Sequence, residues 1–175
     1  MEFLKNKKIL EISEGDPKDA LEILAALKQI GSESDNLIID SNGVPFTVEQ
    51  EEEYLRKNQK SINSKSFIGK VDGKIVCISG FQGNARSRIE HNVTLGISIM
   101  KDYWNIGIGN HMTNHILNYC RTNKMIKNVT LEVREDNKYA IHLYEKVGFK
   151  RIGMFTKKVK IDDNYYNEII MEKLL

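Results

Sequence analysis

Apolar positions along the 175-residue chain alternate with period two in some stretches and recur at three and four residues in others. These two spacings mark strands and helices respectively. Ile9 to Ser13 is a short apolar run of strand length. Asp16-Pro17 then opens a helix, with Asp at the N-cap and Pro at the first helical position. Leu21, Leu24 and Lys28 share one face of it, Ile23, Leu27 and Ile30 lie beside them, and Gly31 fits its end. Ser34 to Pro45 is a long connection with apolar islands at Leu37 to Ile39 and Val44 to Phe46, a loop length often tied to function. Thr47-Val-Glu-Gln50 reads as a capping box and starts a second helix to about Asn58. Ser66 to Val71 and Lys74 to Gly80 are strands joined by Asp72-Gly73, a two-residue hairpin signal.

Downstream, Ile89 to Met100 predicts a longer strand, and Gly107 to Thr122 a helix with Met112, Ile116, Leu117 and Cys120 on its apolar face. Lys127 to Val133 is a strand and Asn137 to Val147 a helix. Lys150 to Ile161 and Tyr165 to Leu174 are two final strands around Asp162-Asp163-Asn164. The order β-α-α-β-β-β-α-β-α-β-β predicts an α+β fold, a mixed sheet with antiparallel hairpins early and late and a crossover between them. No Pro- or Gly/Ser-rich linker interrupts it, so one domain over residues 1–175 is expected.

Charge narrows the class. Twenty-six basic residues against 24 acidic ones leave a formal charge of +2. That balance lacks the concentrated basic face nucleic acid requires, so no nucleic-acid partner is expected. No apolar run reaches membrane-spanning length and the first residues carry no secretory pattern, so no membrane partner and a cytoplasmic location are expected. Cys77 and Cys120 lie in apolar contexts and read as free thiols, and no spacing suggests a metal site.

The chemistry concentrates in residues 93–149. A strand runs into a loop with Gly107 and Gly109, and that loop opens a helix. The first amides of a helix have no internal acceptor and the helix dipole there favours negative charge, so this is a place for phosphate. A dinucleotide fingerprint would want a third glycine where Met112 stands and a motif near the N-terminus, and neither holds. A second strand carrying Glu132 and a helix carrying Tyr144 follow, a carboxylate and a phenol that could serve as base and acid.

Together these segments resemble the GNAT N-acetyltransferase superfamily. Its acyl-CoA motif, Gln or Arg-x-x-Gly-x-Gly or Ala after a strand, corresponds to Trp104-Asn105-Ile106-Gly107-Ile108-Gly109. A second element corresponds to Leu131-Glu132-Val133, Asn137, Ala140, Leu143-Tyr144 and Gly148-Phe149. The resemblance implies a central, mostly antiparallel mixed sheet flanked by helices, with two splayed parallel strands, and acetyl-CoA as co-substrate. It implies that the amides of Asn105, Ile106, Gly107, Ile108, Gly109 and Asn110 bind the pyrophosphate. It also implies that the pantetheine arm lies between strands ending near Ile99 and Val133, and that Asn137 bonds the arm or caps its helix. Tyr144 is the implied general acid and Glu132 the candidate base, with His91 and Glu90 as further base or substrate candidates, acting directly or through water. The acceptor would be a small-molecule amine or a protein N-terminus, and a homodimer fits the family. The four acidic residues Glu49, Glu51, Glu52 and Glu53 read first as a solvated helix face, with attraction of a cationic acceptor as the alternative. Trp104 departs from the motif; it is expected to cover apolar surface, with loss of a side-chain contact to phosphate.

Overall fold

The computed structural model describes all 175 residues. Eight strands form one sheet in the order β1-β2-β3-β4-β5-β6-β8-β7. They are β1 (Glu2–Phe3), β2 (Ile9–Glu14), β3 (Lys65–Val71), β4 (Lys74–Gly83), β5 (Asn92–Ile99), β6 (Asn128–Arg134), β7 (Lys150–Ile161) and β8 (Asn164–Leu174). The helices are α1 (Ala20–Glu33), α2 (Val48–Lys60), α3 (Ile108–Thr122) and α4 (Lys138–Lys146). Only β5 and β6 run parallel; every other pair is antiparallel.

Local signals act where they are read. Asp16 caps a one-turn 3-10 helix, Pro17–Asp19, that runs directly into α1. The Thr47 hydroxyl accepts from the Gln50 amide at 3.3 Å and the Gln50 side chain accepts from the Thr47 amide at 2.8 Å, closing the capping box that starts α2. Asp72 and Gly73, at φ +52° and +79°, make the tight turn between β3 and β4.

Several boundaries differ from the sequence reading. The short β1 is an addition, paired to Ile9 and Leu10. The buried face of α1 is Ile23, Ala26, Leu27 and Ile30, while Leu21 is 68% exposed. Strand β5 begins at Asn92 rather than Ile89, because Ile89 to His91 are held in turns by Ile89 N–H to Arg86 O and Asn92 N–H to Ile89 O. Gly31 does not end α1, which continues to Glu33. A methyl group there would overlap the Asp40 carbonyl oxygen, so Gly31 admits the returning loop rather than a left-handed cap.

Helices cover both faces of the sheet. α3 lies on one, where Phe67 of β3 meets His115 and Tyr119 at ring distances of 5.0 and 5.6 Å. α4 shares that face and buries Ile141 and Tyr144. On the opposite face, Ile23 and Leu27 of α1 and Leu55 of α2 stand over Ile68 and Ile78. The buried apolar residues join in one cluster of 32.

Parallel pairing of β5 with β6 covers only Asn92–Asn128, Val93–Val129 and Thr94–Thr130. Beyond Thr94, β5 stays bonded to β4 and β6 to β8, so the two strands diverge and leave a wedge-shaped gap.

Gly31→Ala gains about 1 kcal/mol of helix propensity, but overpacking against Asp40 costs about 1–3 kcal/mol. A melting temperature lowered by a few degrees is expected by calorimetry; a raised one would mean that the 34–46 loop moves aside freely.

Candidate active site

Backbone direction makes the gap chemically specific. The Met100 amide donates to Val76 O at 3.0 Å. Antiparallel pairs alternate between bonded and non-bonded positions, so residues 98, 96 and 94 turn their amides and carbonyls to β4. Leu95, Ile97 and Ile99 turn theirs into the gap. These strand edges can pair with an extended, amide-bearing ligand, as a missing strand would.

The loop after β5 supplies a different set of donors. The first α-helical bond of α3 runs from the His111 amide to Gly107 O at 3.1 Å. The amides of Asn105, Ile106, Gly107, Ile108, Gly109 and Asn110 therefore have no acceptor within the chain. Asn105 and Gly107 sit at φ +62° and +109°, a left-handed pair that folds this run tightly onto the helix start. Six free donors at the positive end of a 15-residue helix are chemically suited to a polyanion.

The two glycines do different work. Gly107 supplies the left-handed backbone. Gly109 supplies proximity: a methyl group there would lie 2.9 Å from Leu143 Cδ2 of α4 and 3.6 Å from Ile99 Cδ1. The phosphate loop and the Tyr144 helix are thus in direct contact.

Trp104 has a definite role here. Its indole Nε1–H donates to the Ile99 carbonyl at 2.8 Å, which fastens the loop to the end of β5. A second fastening comes from the N-terminus, where the Lys5 amide donates to Ile106 O at 3.0 Å and Glu2 lies 3.1 Å from His111 Nδ1.

Tyr144 is buried, edge-on to Phe149 at 5.8 Å, and close to Cys77. Burial pushes its phenol up to about 12, so it is a neutral donor across the ordinary pH range. Asn137 caps α4 through Oδ1, which accepts from the Ala140 amide at 3.2 Å, and its amide NH₂ has no protein partner. Both cysteine thiols are buried, with Cys120 pushed up to about 12 and Cys77 raised by full burial, so neither offers a thiolate.

Glu132 points to the opposite face, beyond the point where the strands diverge, 3.8 Å from Lys158 Nζ. A bulge in β7, which sets Thr156, Lys157 and Lys158 opposite Asn167, brings that lysine near. Glu168 of β8 is buried beside Glu132. Burial first, then its hydrogen bond with Glu132 and that residue's charge, hold its carboxyl above the usual range. Glu90 and His91 stand apart from this group. They precede β5 at the closed end of the wedge, and His91 is roughly 26 Å along the strand from Ile99 at about 3.3 Å per residue. Their carbonyls bond Asn63, Lys127 and Asn128 and tie down that end.

On the Glu132 face a cavity of about 370 Å³ opens between α1, α2 and strands β3 to β5. Its lining includes Thr94, Gly96 and Ser98 on the near bank of the gap, and Phe46, Tyr54 and Glu51 on the far wall. Residues 49–53 are not the solvated face that their sequence suggests. Glu52 and Glu53 do pair with Arg56 in solvent, but Glu51 is 4% exposed. Its four-residue spacing from buried Leu55 is the signal that marks it.

A splayed parallel pair, a free-amide loop after its first strand and a tyrosine helix after its second define an acyl-CoA transferase fold. Residues 35–149 match the acetyltransferase (GNAT) family, and the chain belongs to it. It is 31% identical to an acetyltransferase of this family from Streptococcus pneumoniae, whose solved structure superimposes with a TM-score of 0.93 over 95% of this chain and 100% of that one. It is 40% identical over 77 residues to N-alpha-acetyltransferase 50 of Danio rerio; the match covers 44% of this chain and 40% of that protein. An N-alpha-acetyltransferase of Sulfurisphaera tokodaii is 27% identical over 121 residues, covering 65% of this chain and 68% of that protein. The family's acyl donor, acetyl-CoA, matches the polyanion loop and strand-like gap described above.

Trp104→Phe removes the bond to Ile99 O, worth about 1 kcal/mol. Titration calorimetry should show acetyl-CoA bound several-fold more weakly; unaltered affinity would reduce the indole to filler. For Glu168 the sign follows from its raised carboxyl. The folded state holds the proton more tightly than the unfolded chain, so this residue costs stability as pH rises through its folded value. Glu168→Gln should raise the melting temperature at pH 8, with the gain fading toward pH 4, near the free carboxylate range. A gain independent of pH would refute the assignment.

Proposed function

We propose that the protein transfers the acetyl group of acetyl-CoA to a primary amine by direct attack, the amine belonging to a small molecule or a protein N-terminus. The observation that carries this reading is the wedge between β5 and β6, which leaves a strand edge free with the Tyr144 helix on one face and a cavity of about 370 Å³ on the other.

In this reading the amides of Asn105 to Asn110 hold the pyrophosphate. The pantetheine arm pairs with the gap-facing backbone of Leu95, Ile97 and Ile99, and Asn137 adds its free amide. The Ile99 carbonyl, taken by Trp104, limits how far along the strand that pairing extends. The thioester then lies at the wedge, open to the amine from the cavity side.

The amine enters as an ammonium ion and must lose a proton. Glu132, on the acceptor face, takes it, directly or through water. The amine nitrogen bonds the thioester carbonyl carbon, the C–S bond breaks with its electron pair leaving on sulfur, and the nitrogen's second proton passes through solvent to the thiolate, giving the amide and free CoA thiol. Tyr144 donates to that sulfur. A phenol at about 12 facing a thiol near 8.5 shares its proton as a strong charge-assisted hydrogen bond rather than surrendering it. Two buried thiols far from the thiolate form support direct attack over a cysteine-bound acetyl intermediate.

The test is release of free CoA thiol with an amine panel. Tyr144→Phe should lower kcat about 100-fold and leave acetyl-CoA affinity nearly intact. An unaltered kcat would remove Tyr144 from the chemistry. Binding of acetyl-CoA without thiol release from any amine would make the protein an acyl-CoA-binding module.

A further inference from the structure

Glu51 is a carboxylate placed where folding alone gives no reason for one. It lies on the inner side of α2 with Leu55 and Asn58, is 4% exposed, and lines the 370 Å³ cavity. No hydrogen bond or ion pair within the chain reaches its side chain, although Asn58 on the same face bonds the Ser66 hydroxyl at 2.8 Å. Its neighbours Glu52 and Glu53 pair with Arg56 and Lys57 outside. The Glu51 carboxylate opens on the cavity, burial raises its carboxyl above the usual range, and a cation reaching it there would favour the charged form.

The rest of the wall suits a cation. Phe46 and Tyr54 meet at 6.3 Å, tilted by 53°, and Gln82 fixes the tyrosine by donating to its hydroxyl at 2.6 Å. Aromatic faces beside a carboxylate attract ammonium and guanidinium groups. No lysine or arginine lines the cavity. Its floor reaches Thr94, Gly96 and Ser98, the bank of the gap where the reacting amine must stand.

We propose that Glu51 binds a second positively charged nitrogen on the acceptor, so that the preferred substrate carries one amine for acetylation and another cation held against α2. This rests on the acetyl-transfer reading above. The cation could belong to a free diamine or to a basic residue following a peptide N-terminus; both present the same chemistry to Glu51.

The test compares matched acceptors that differ by one charge: α,ω-diamines of three to six carbons against n-alkylamines of equal length, and Ala-Lys amide against Ala-Leu amide. CoA thiol release gives kcat/KM for each. In the native protein the best charged acceptor should exceed its neutral partner by about tenfold or more, the effect of one charge-assisted bond. The winning arm distinguishes small molecule from peptide. Glu51→Gln should bring that ratio to within about twofold of unity, chiefly through KM. Glu53→Gln, on the solvent side, should retain it. A native ratio near unity, a ratio that survives Glu51→Gln, or one lost equally in Glu53→Gln overturns the proposal.

If no acceptor releases thiol, the transfer reading fails and binding decides the matter for Glu51. A tetramethylated diamine added with acetyl-CoA should raise the melting temperature of the native protein and not that of Glu51→Gln. Equal shifts, or none, overturn it. Loss of an unpaired carboxylate should not lower the melting temperature, so Glu51→Gln is expected to fold; if it does not, Glu51→Met serves the same comparisons.

Discussion

Three residue pairs of parallel ladder, ending at Thr94 and Thr130, determine what the rest of the molecule is for. Were the ladder continuous, Leu95, Ile97 and Ile99 would spend their backbone groups on β6. Because each strand keeps its outer partner, β4 or β8, the sheet divides without losing either half. An open strand edge is ordinarily a hazard, since any extended chain can add to it. Here it lies within the sheet, with α3 and α4 on one side and the α1–α2 layer on the other, rather than at the sheet's rim.

Around this division the two faces take separate tasks. On the α3 and α4 face lie the free loop amides, the Gly109–Leu143 contact and Tyr144. On the other face lie carboxylates: Glu132 with Glu168 near β8, and Glu51 across the cavity. The free amide donors and the carboxylates therefore lie on opposite faces, with the wedge between them. Arg134 steadies the second face. Its guanidinium grips Asp136, bonds the Asp35 carbonyl and stacks 4.0 Å from the Tyr166 ring, joining the long loop after α1 to the end of β6.

What the sequence made legible were features written in a few adjacent residues. The Thr47–Gln50 box, the Asp72-Gly73 turn and the start of α3 just after Gly107 each depend on local backbone chemistry, and each stands where it was read. The motif of residues 104–109 likewise carries its amides in order. Features that depend on distant partners were not legible. Gly31 looks like a helix end until Asp40 is seen against it. Trp104 looks like a defect in the motif until its indole is found on Ile99. Glu90 and His91 look like strand residues near the site, but the turn before Asn92 holds them at the far end of β5. Glu51 sits among four acidic residues of nearly identical local context, and only tertiary packing separates the buried one from the solvated three.

The hydrogen bond from Lys5 to Ile106 carries a consequence for how the molecule assembles. It joins segments about a hundred residues apart, and a contact of such span carries a larger loop-closure cost than local turns and hairpins do. Helices and hairpins of the sheet can form from neighbouring residues, yet the phosphate loop receives its last fastening only when the two ends of the β1–α3 span meet. Until that later segment is made, the turn between β1 and β2 lacks this partner for its Lys5 amide.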